Sequence, residues 1–572
     1  MTAPAPNSSP ADARDPRGLV LCGRVLTLDD KSTVAEAVAI KGDRVAGVGS
    51  RSEMARLCPR ARVVNSGGVI VPGFNDAHAH MDTEGLRDHF PSLAGARSIG
   101  DVLSRIAALA TRTPAGQWII TMPIGEPPFY YGGPDVLAEK RMPDRHELDR
   151  VAPDHPVCIL PPSSYWSLIP CHAAVNSRAL GALGIDRDSA PRVPGIEILR
   201  GENGEPSGIF VERNFPDAMQ LDLLAKIPRV APADRRAAIS KAMRAYHAHG
   251  ITSIYEGHGC ATEILGAYRA LHQEGELTMR LGAVVSPTWT SLDDASRQMA
   301  DWMAYARGNG LGDAFLRVSG IFVNYGGEPV VGSLALSDTS NLGWSCYVRQ
   351  ANDPKIFEAL CLLAAQHDLR LHTIVIDKLH EIVPILQRVD AQFPISGKRW
   401  VLEHISIARM DDLAALKALG VGVTLIPEFH LAKAGSRFAK LADEACELVA
   451  PVVQLASLGV PVAAGTDNSP VNPFASMRAM MTRRERVTGR ILGAAACASA
   501  ELALRCLTVN GAWLTFEEET KGAARAGNLA DLAVLSGDPL ATPADALERL
   551  SCVATMVGGQ FVHGAADMQS AA

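Results

Sequence analysis

The sequence lacks the features that would connect it to a membrane or to nucleic acid. None of its apolar runs approaches the roughly 18 residues that a membrane-spanning helix needs. The formal net charge is −7 and the pI is near 6.2, so neither a basic face for nucleic acid nor a strongly acidic tail is indicated. Residues 1–17 are rich in Pro, Ala and Ser without the apolar segment of a signal peptide, which predicts a flexible tail. These absences favour a cytoplasmic protein without a membrane or nucleic-acid partner.

Closely spaced cysteine pairs are also missing. The chain has 11 cysteines, but they are scattered and include no Cys-x-x-Cys pair. An odd number at irregular spacing argues against a disulfide framework and against a zinc knuckle. We therefore expect reduced thiols in a reducing compartment.

The two ends of the chain have a β-like pattern. At 572 residues with 47% apolar content, the chain is long enough for one large body and a smaller appended domain. Short alternating runs occupy 18–71, with a hairpin turn at Lys41-Gly42-Asp43-Arg44, and similar runs with glycine turns return within 506–566. We expect these two segments to form one small β-sandwich domain.

The segment between them, 72–505, alternates apolar strands with helix-like runs. One such helix is predicted from Ala233 to His249 and is stopped by Gly250. Eight strands alternating with helices predict a (β/α)₈ TIM-type barrel, whose chemistry lies at the C-terminal ends of the strands. The stretch from about 82 to 248 is too long for one βα unit and is interpreted as a lid insertion after the first strand. The predicted strands are the one ending at His80 and then Ile251–Glu256, Arg280–Val285, Arg317–Asn324, Arg370–Ile376, Trp400–His404, Val421–Ile426 and Val460–Thr466.

Polar side chains that can bind a metal occur at the ends of these predicted strands. His78 and His80 are two residues apart, so on a strand they project from the same face. Histidines and a carboxylate collected at the mouth of one barrel predict a divalent metal site, and Zn²⁺ is the first expectation, although Mn, Fe, Co or Ni also accept such ligands. The predicted ligands are His78, His80, Glu256, His372, His404 and Asp467.

Asp467 follows the eighth predicted strand in a Gly-Thr-Asp sequence. A bound metal lowers the pKa of water and polarises a carbonyl. Asp467 is then expected to accept the proton of the metal-activated water and pass it to a leaving amine, first as a general base and then as a general acid. The alternative is a purely structural carboxylate after the turn.

With these residues in place, the sequence resembles the amidohydrolase superfamily, in particular the amidohydrolase-3 branch that includes N-substituted formamide deformylases. The resemblance covers nearly the whole chain and includes PGFNDAHAH, CHAAVNSRALGALGI, HGITSIYE, HTIVIDKLHEIV, LEHIS, GTDNSPVNP and NLADLAVLSGDPL. It implies that His78, His80, His372, His404 and Asp467 bind metal. It also implies that His404 polarises the substrate in a mononuclear form of the site, and that the protein is a homo-oligomer.

The chain departs from this family pattern on the predicted fourth strand. Relatives often have a lysine there that can be carbamylated to bridge two metals, and this chain has Phe322 at the matching position. The resemblance leaves two alternatives. Glu256 on the second strand bridges two ions, or the site is mononuclear.

Further residues are candidates for contact with substrate. His258 lies two residues beyond Glu256 in Tyr255-Glu-Gly-His-Gly259 and shares its strand face if the strand continues, but the flanking glycines predict that it has already entered the loop. There it contacts the substrate, supports the ligands from behind, or lies on the surface. Aromatic side chains in the insertion and after the strands favour an apolar or aromatic small molecule, or else pack the lid. The candidates for substrate contact are His172, His258, Tyr325, Trp166, Tyr130 and Phe429, together with Phe129, Tyr131, Tyr165 and His430.

The sequence thus predicts a metal-dependent hydrolase that cleaves a non-peptide C–N bond in an amide, formamide, carbamate or urea. Hydrolysis of an ester or lactone, or deamination of a heterocycle, is an alternative on the same site. A metal-free structural homologue is the remaining possibility and is disfavoured, because all four histidines and Asp467 are present.

Overall fold

The computed structural model describes residues 18–127, 129–163, 167–213, 218–301, 303–337 and 350–564. These residues fall into two compact units. One contains the described chain up to Met81, Ser240–Tyr325 and the chain from Pro354, and the other contains Asp82–Ile239 and Gly326–Asp353. None of the helices in the described part of the chain is both long and apolar enough to span a bilayer.

Both ends of the chain contribute to one seven-stranded sheet in the first unit. Val71 near the N-terminal end pairs with Ala533 near the C-terminal end, which joins the two segments as predicted. Alternate residues of the first strand enter apolar clusters on opposite faces, Leu21 on one and Cys22 on the other. In sheet order the strands are Gln560–His563, Cys552–Val557, Leu532–Leu535, Arg62–Pro72, Leu19–Leu26, Val34–Lys41 and Arg44–Gly49.

Eight parallel strands form the predicted barrel in the same unit. They follow one another in chain order around the sheet, and each pairs with the next. A two-residue strand, Leu311–Gly312, pairs antiparallel with the fourth barrel strand. From first to eighth the barrel strands are Phe74–Asp76, Ile251–Cys260, Arg280–Val285, Leu316–Phe322, Leu371–Ile376, Val401–Ile405, Gly422–Leu425 and Val462–Ala464.

The first and eighth barrel strands close the barrel. Ala77 donates a backbone hydrogen bond to Ala464 at 3.3 Å, and Asp467 donates one to His78 at 2.8 Å. Gly465 permits this contact, because a Cβ atom there would lie 2.5 Å from the backbone nitrogen of His78. Closure therefore brings the segment that carries the two paired histidines against the segment that carries Asp467.

Helices alternate with the barrel strands, which confirms the predicted fold class. The helix before the second strand runs Pro232–His247, and the chain turns at Gly250 with φ +79°. The other helices of this unit are Arg51–Leu57, Thr262–Gln273, Leu292–Asp301, Pro354–Gln366, Leu379–Gln392, Met410–Leu419, Asp443–Cys446, Val452–Leu458, Pro473–Thr482, Ala500–Cys506 and Val509–Leu514.

Most residues inserted after the first barrel strand belong to the second unit, which has a five-stranded sheet of its own. Two neighbouring strands of this sheet, Ile119–Thr121 and Val157–Ile159, pair in parallel. In sheet order the strands are Ile119–Thr121, Val157–Ile159, Cys171–Val175, Pro206–Glu212 and Ile196–Arg200. The helices of the inserted segment and of Gly326–Asp353 are Met81–Leu86, Ile99–Ala110, Arg145–Val151, Ser177–Leu183, Met219–Asp222 and Pro329–Ser337. The predicted domain boundaries and the lid role of the insertion stay predictions.

Candidate metal centre

Four histidines and an aspartate lie together where the barrel strands end. His80 Nε2 is 3.2 Å from Asp467 Oδ1, and His78 Nε2 is 3.9 Å from the same oxygen. His78 Nε2 is also 3.0 Å from His404 Nε2. His258 completes this group, which we call the histidine cluster: His78, His80, His258, His404 and Asp467. All five side chains are buried.

A network behind the cluster fixes the backbone of its members. Asn468 donates a side-chain hydrogen bond to the His80 carbonyl at 2.7 Å and accepts one from the His80 amide at 3.2 Å. Asp76 accepts hydrogen bonds from the Thr466 amide at 2.8 Å and hydroxyl at 2.6 Å. Asp467 and Asn468 have φ values of +48° and +54°, a left-handed turn that tolerates aspartate and asparagine better than most residues. The GTDN sequence therefore fixes the eighth strand against the first.

Glu403 faces His78 from outside the cluster. Its Oε2 lies 3.5 Å from His78 Nδ1, the ring nitrogen opposite the one that faces His404 and Asp467. A histidine that binds metal commonly directs its second ring nitrogen at a carboxylate, which fixes the tautomer and the ring orientation. His78 has this arrangement, with Nε2 left for the cluster.

Burial controls the charge of the cluster. Burial, followed by the neighbouring imidazoles, lowers the pKa of His78 and His258 well below the ordinary value, so both rings are neutral near pH 7. The pKa of His404 is also lowered, chiefly by burial. Burial raises the pKa of Asp467, but its hydrogen bond with His80 opposes burial, and the pKa lies below its ordinary value. Neutral imidazoles and an ionised carboxylate are the forms that bind a metal.

The expectation that His258 has entered a loop is wrong. The second barrel strand continues to Cys260, and its pairing with the third strand is irregular between Glu256 and Cys260. The glycines on either side allow close packing. A Cβ atom on Gly257 would lie 2.3 Å from Glu403 Oε1, and one on Gly259 would lie 2.6 Å from Phe322 Cβ. His258 is consequently buried inside the strand, among the cluster.

The expectation that His372 ends the fifth barrel strand is also wrong. His372 is the second residue of Leu371–Ile376, so it lies deep in the barrel, and its ring is engaged elsewhere. Its Nε2 is 3.0 Å from Tyr255 Oη, and its Nδ1 is 3.2 Å from Glu403 Oε1. Arg370 donates to Tyr255 Oη at 2.9 Å. We call Arg370, Tyr255, His372 and Glu403 the arginine network.

Glu256 also lies outside the histidine cluster. Its Oε1 accepts a hydrogen bond from the Met81 amide at 2.8 Å and another from the Tyr268 hydroxyl. Its oxygens are not among the potential ligand atoms that lie within 4.8 Å of one another. The structure therefore gives Glu256 the task of holding the backbone directly after His80.

Of the candidates for substrate contact in this unit, Phe429 lies beside the cluster. Its ring centroid is 6.3 Å from that of His404 and 5.1 Å from that of His430. Tyr325 instead donates its hydroxyl to Glu381 at 2.6 Å and packs its ring against Phe357. Trp166 and Tyr165 lie outside the described residues.

The remaining candidates belong to the second unit. Tyr130 and Phe129 line a cavity of about 80 Å³ whose wall includes Phe90 and the buried side chain of Gln220. His172 is the second residue of Cys171–Val175, is half-buried, and has its pKa lowered chiefly by burial. Contact of these residues with substrate stays a prediction.

The sequence pattern did not indicate Glu403, Asn468 and Tyr255 as parts of the site. Alternation on a strand directs Glu403 away from the face of His404, but His404 has φ +59°, which interrupts the alternation and allows both side chains to reach His78. The only available signal was the position of each residue next to a candidate ligand.

The histidine cluster fits a divalent cation. Zn–N distances near 2.1 Å place adjacent ligand atoms of one ion roughly 3–3.4 Å apart, and the 3.0 and 3.2 Å separations in the cluster agree with this spacing. His258 Nδ1 and His80 Nδ1 are buried without a hydrogen-bond partner among the described residues. Such buried nitrogens are costly unless a ligand satisfies them.

The barrel thus has two histidines after its first strand, a histidine on its sixth strand and an aspartate after its eighth. The chain belongs to the amidohydrolase family, whose model matches residues 65–563. It is therefore an amidohydrolase, a hydrolase that acts on carbon–nitrogen bonds other than peptide bonds.

Full-length relatives support this assignment. The chain is 24% identical over 560 residues to the putative amidohydrolase YtcJ of Bacillus subtilis, covering 95% of this chain and 98% of that protein. It is 26% identical over 562 residues to the N-substituted formamide deformylase of Arthrobacter pascens, covering 95% and 97%. The fold is similar to the crystal structure of an uncharacterized metal-dependent hydrolase from Pyrococcus horikoshii, with a TM-score of 0.66, 18% identity and coverage of 92% and 99%.

Proposed function

We propose that this amidohydrolase uses a divalent metal to hydrolyse a non-peptide C–N bond in a small amide, formamide, carbamate or urea. The observation that carries the proposal is the buried contact of Asp467 Oδ1 with His80 Nε2, at 3.2 Å, beside His78 and His404. These residues bring imidazole nitrogens and an ionised carboxylate together in one buried site. The proposal gives metal binding to His78, His80, His404 and Asp467.

A metal held by these residues would polarise the scissile carbonyl and would make water a better nucleophile at neutral pH. Imidazole and carboxylate ligands suit Zn²⁺, our first choice, and also suit Mn, Fe, Co and Ni.

Asp467 acts as the general base and then as the general acid. Its lowered pKa keeps the carboxylate ionised, so it can accept a proton from the attacking water. The protonated carboxyl then returns that proton to the leaving nitrogen. His404, whose lowered pKa keeps it neutral, is positioned beside Asp467 to contact the substrate carbonyl.

Two observations support the substrate class. The Arthrobacter pascens relative, similar along nearly its whole length, is an N-substituted formamide deformylase, which makes N-formyl amines the first substrates to test. Phe429 and Phe322 place aromatic rings 6.3 Å from His404 and 5.5 Å from His258, which favours an apolar or aromatic substituent.

A substrate screen tests the proposal. Metal-free protein is reconstituted separately with Zn²⁺, Mn²⁺ and Co²⁺ and is assayed on N-formyl amines, N-acyl anilines, carbamates and ureas, with esters, lactones and amino-substituted heterocycles in parallel. We expect metal-dependent turnover with the highest kcat/KM on one of the C–N classes. Turnover of esters or lactones alone, or release of ammonia from heterocycles alone, would replace the proposal by the corresponding alternative. Size-exclusion chromatography with light scattering tests the predicted homo-oligomer, and a cytoplasmic location stays a prediction.

A further inference from the structure

The sequence predicted His372 as a metal ligand and His258 as a loop residue. In the structure, His258 lies in the histidine cluster and His372 lies in the arginine network. We infer that His258, on the second barrel strand, is a metal ligand in place of His372, and that the histidine cluster holds a single ion. The inference rests on the proposed metal dependence, but it concerns ligand identity and can be tested without a substrate.

The position of His258 carries the first part of the inference. Its ring centroid is nearly equidistant from those of three other cluster members, at 5.5 Å from His78, 5.4 Å from His80 and 5.8 Å from His404. A ligand atom of His258 lies within 4.8 Å of ligand atoms of His78 and His404. The side chain is 5% exposed, and its Nδ1 has no hydrogen-bond partner in the described part of the chain. An imidazole buried in this way is costly unless something binds it.

The hydrogen bonds of His372 carry the second part. An imidazole has two nitrogens, and in His372 both are engaged. Arg370 donates to Tyr255 Oη at 2.9 Å, which leaves the Tyr255 hydroxyl proton to donate to His372 Nε2 at 3.0 Å. His372 Nδ1 then donates to Glu403 Oε1 at 3.2 Å. Every donor in this series of hydrogen bonds has an acceptor, so His372 has no ring nitrogen left to bind a metal.

The number of ions follows from His78. It belongs both to the group of His78, His80 and Asp467 and to the group of His78, His258 and His404. His78 uses Nε2 toward Asp467 and toward His404, while its Nδ1 faces Glu403. A single imidazole nitrogen has one lone pair and binds one ion, so the two groups describe one coordination shell rather than two.

The two positions that could supply a ligand bridging a second ion also favour a single ion. The fourth barrel strand ends at Phe322, which has no group to carbamylate. Glu256 holds the Met81 amide and the Tyr268 hydroxyl through Oε1, and neither of its oxygens belongs to the groups of potential ligand atoms that lie within 4.8 Å of one another. We therefore expect a mononuclear site.

Matched substitutions separate the two histidines. His258→Asn and His372→Asn make the same chemical change at two buried positions of the barrel. Wild type and both variants are freed of metal, and Zn²⁺ is added in competition with a chromogenic chelator to measure stoichiometry and Kd. We expect one equivalent per chain in the wild type. The Kd of His258→Asn should rise by more than about 100-fold, which exceeds the loss typical of an outer partner, and that of His372→Asn by no more than about 10-fold.

A third variant distinguishes a ligand from a packing residue. His258→Asp replaces imidazole by a carboxylate that also binds Zn²⁺. It should recover at least about tenfold of the affinity that His258→Asn loses, whereas a packing role predicts no recovery. Urea midpoints of the metal-free proteins show whether each variant is folded. If His258→Asn does not fold, the comparison of His258→Asp with His372→Asn takes its place.

Three results would overturn the inference. His372→Asn could lose as much affinity as His258→Asn or more, or His258→Asn could bind Zn²⁺ like the wild type. In either case the proposed hydrolase activity would still stand. Saturation of the wild type at two equivalents would overturn the single-ion part. Wild-type protein that binds no metal at all would overturn the inference together with the metal dependence of the proposed function.

Discussion

The barrel contains two buried polar groups built from similar side chains, and their hydrogen bonding differs. In the arginine network, Arg370, Tyr255, His372 and Glu403 form a continuous chain of donors and acceptors. In the histidine cluster, ring nitrogens of His80 and His258 are buried without hydrogen-bond partners among the described residues. The presence of a histidine therefore does not identify a metal ligand. What separates these two groups is whether the ring nitrogens have hydrogen-bond partners.

The difference has an energetic basis. A buried network in which every polar atom has a partner is stable by itself and makes its region of the core rigid. A buried imidazole without partners costs roughly 1–3 kcal/mol for each unsatisfied group, and a protein retains such groups where a ligand satisfies them. The continuous hydrogen bonds of the arginine network therefore support the site, and the histidine cluster is where we propose that the metal binds. Glu403 joins the two groups, since its Oε1 faces His372 and its Oε2 faces His78.

The largest effect is expected inside the cluster, at Asp467. Asp467→Asn keeps the size of the side chain and an oxygen donor but removes the proton acceptor. We expect kcat to fall by roughly 100-fold to 10,000-fold, the contribution typical of general acid–base catalysis, while Zn²⁺ still binds when it is supplied in excess. Steady-state kinetics and metal analysis of the same preparation measure both quantities.

The matched control is Asp443→Asn, because that carboxylate is 74% exposed and pairs with Arg490 at the surface. It should leave kcat unchanged. Full activity in Asp467→Asn would remove the proton-transfer role, and loss of metal without a separate loss of turnover would make Asp467 a ligand only.

The second effect is expected where the two groups meet. Glu403→Gln keeps the shape of the side chain but replaces the carboxylate that faces His78 Nδ1 at 3.5 Å. Burial raises the pKa of Glu403 well above its ordinary value, and the charge of Arg370 opposes that rise. We expect the Kd for Zn²⁺ to rise by roughly 10-fold to 100-fold, as for other carboxylates that orient a metal-binding histidine.

Glu358→Gln is the control for this change, because Glu358 pairs with Arg388 on the surface. Chelator competition should give it the Kd of the wild type. An unchanged Kd in Glu403→Gln would mean that the arginine network supports the fold without orienting His78.

Periodicity predicted the barrel, because eight apolar strands and their helices leave a pattern in the sequence. Where each strand ends depends on its neighbours and was predicted less well. Gly257 and Gly259 were interpreted as the beginning of a loop, yet they are glycines because Glu403 and Phe322 pack against their backbone. The local sequence around His258 does not indicate that Glu403 and Phe322 pack there.

The roles of His372 and Glu403 were hidden for related reasons. His372 lies in the apolar run LRLHTIVI, which does not mark the strand end, and the partner that engages its Nε2 is Tyr255, far away in sequence. Glu403 precedes His404, and only the φ of +59° at His404 brings both side chains to His78. In contrast, His78, His80, His404 and Asp467 were predicted to lie together because strand order places them at one end of the barrel, and the structure brings them together.

The smallest effect is expected inside the arginine network, at Tyr255. Tyr255→Phe removes one hydroxyl, so that His372 Nε2 loses its partner while Arg370 keeps its hydrogen bonds to Ser319, Arg399 and Leu514. We expect the free energy of unfolding to fall by about 1–3 kcal/mol, measured by urea denaturation, and the Kd for Zn²⁺ to stay at the wild-type value. Tyr325→Phe is the control, since its hydroxyl bonds to Glu381, whose side chain is 36% exposed, and its loss should cost less. If Tyr255→Phe instead weakened Zn²⁺ binding as much as His258→Asn, the satisfied network would belong to the metal site, and the distinction between the two groups would fail.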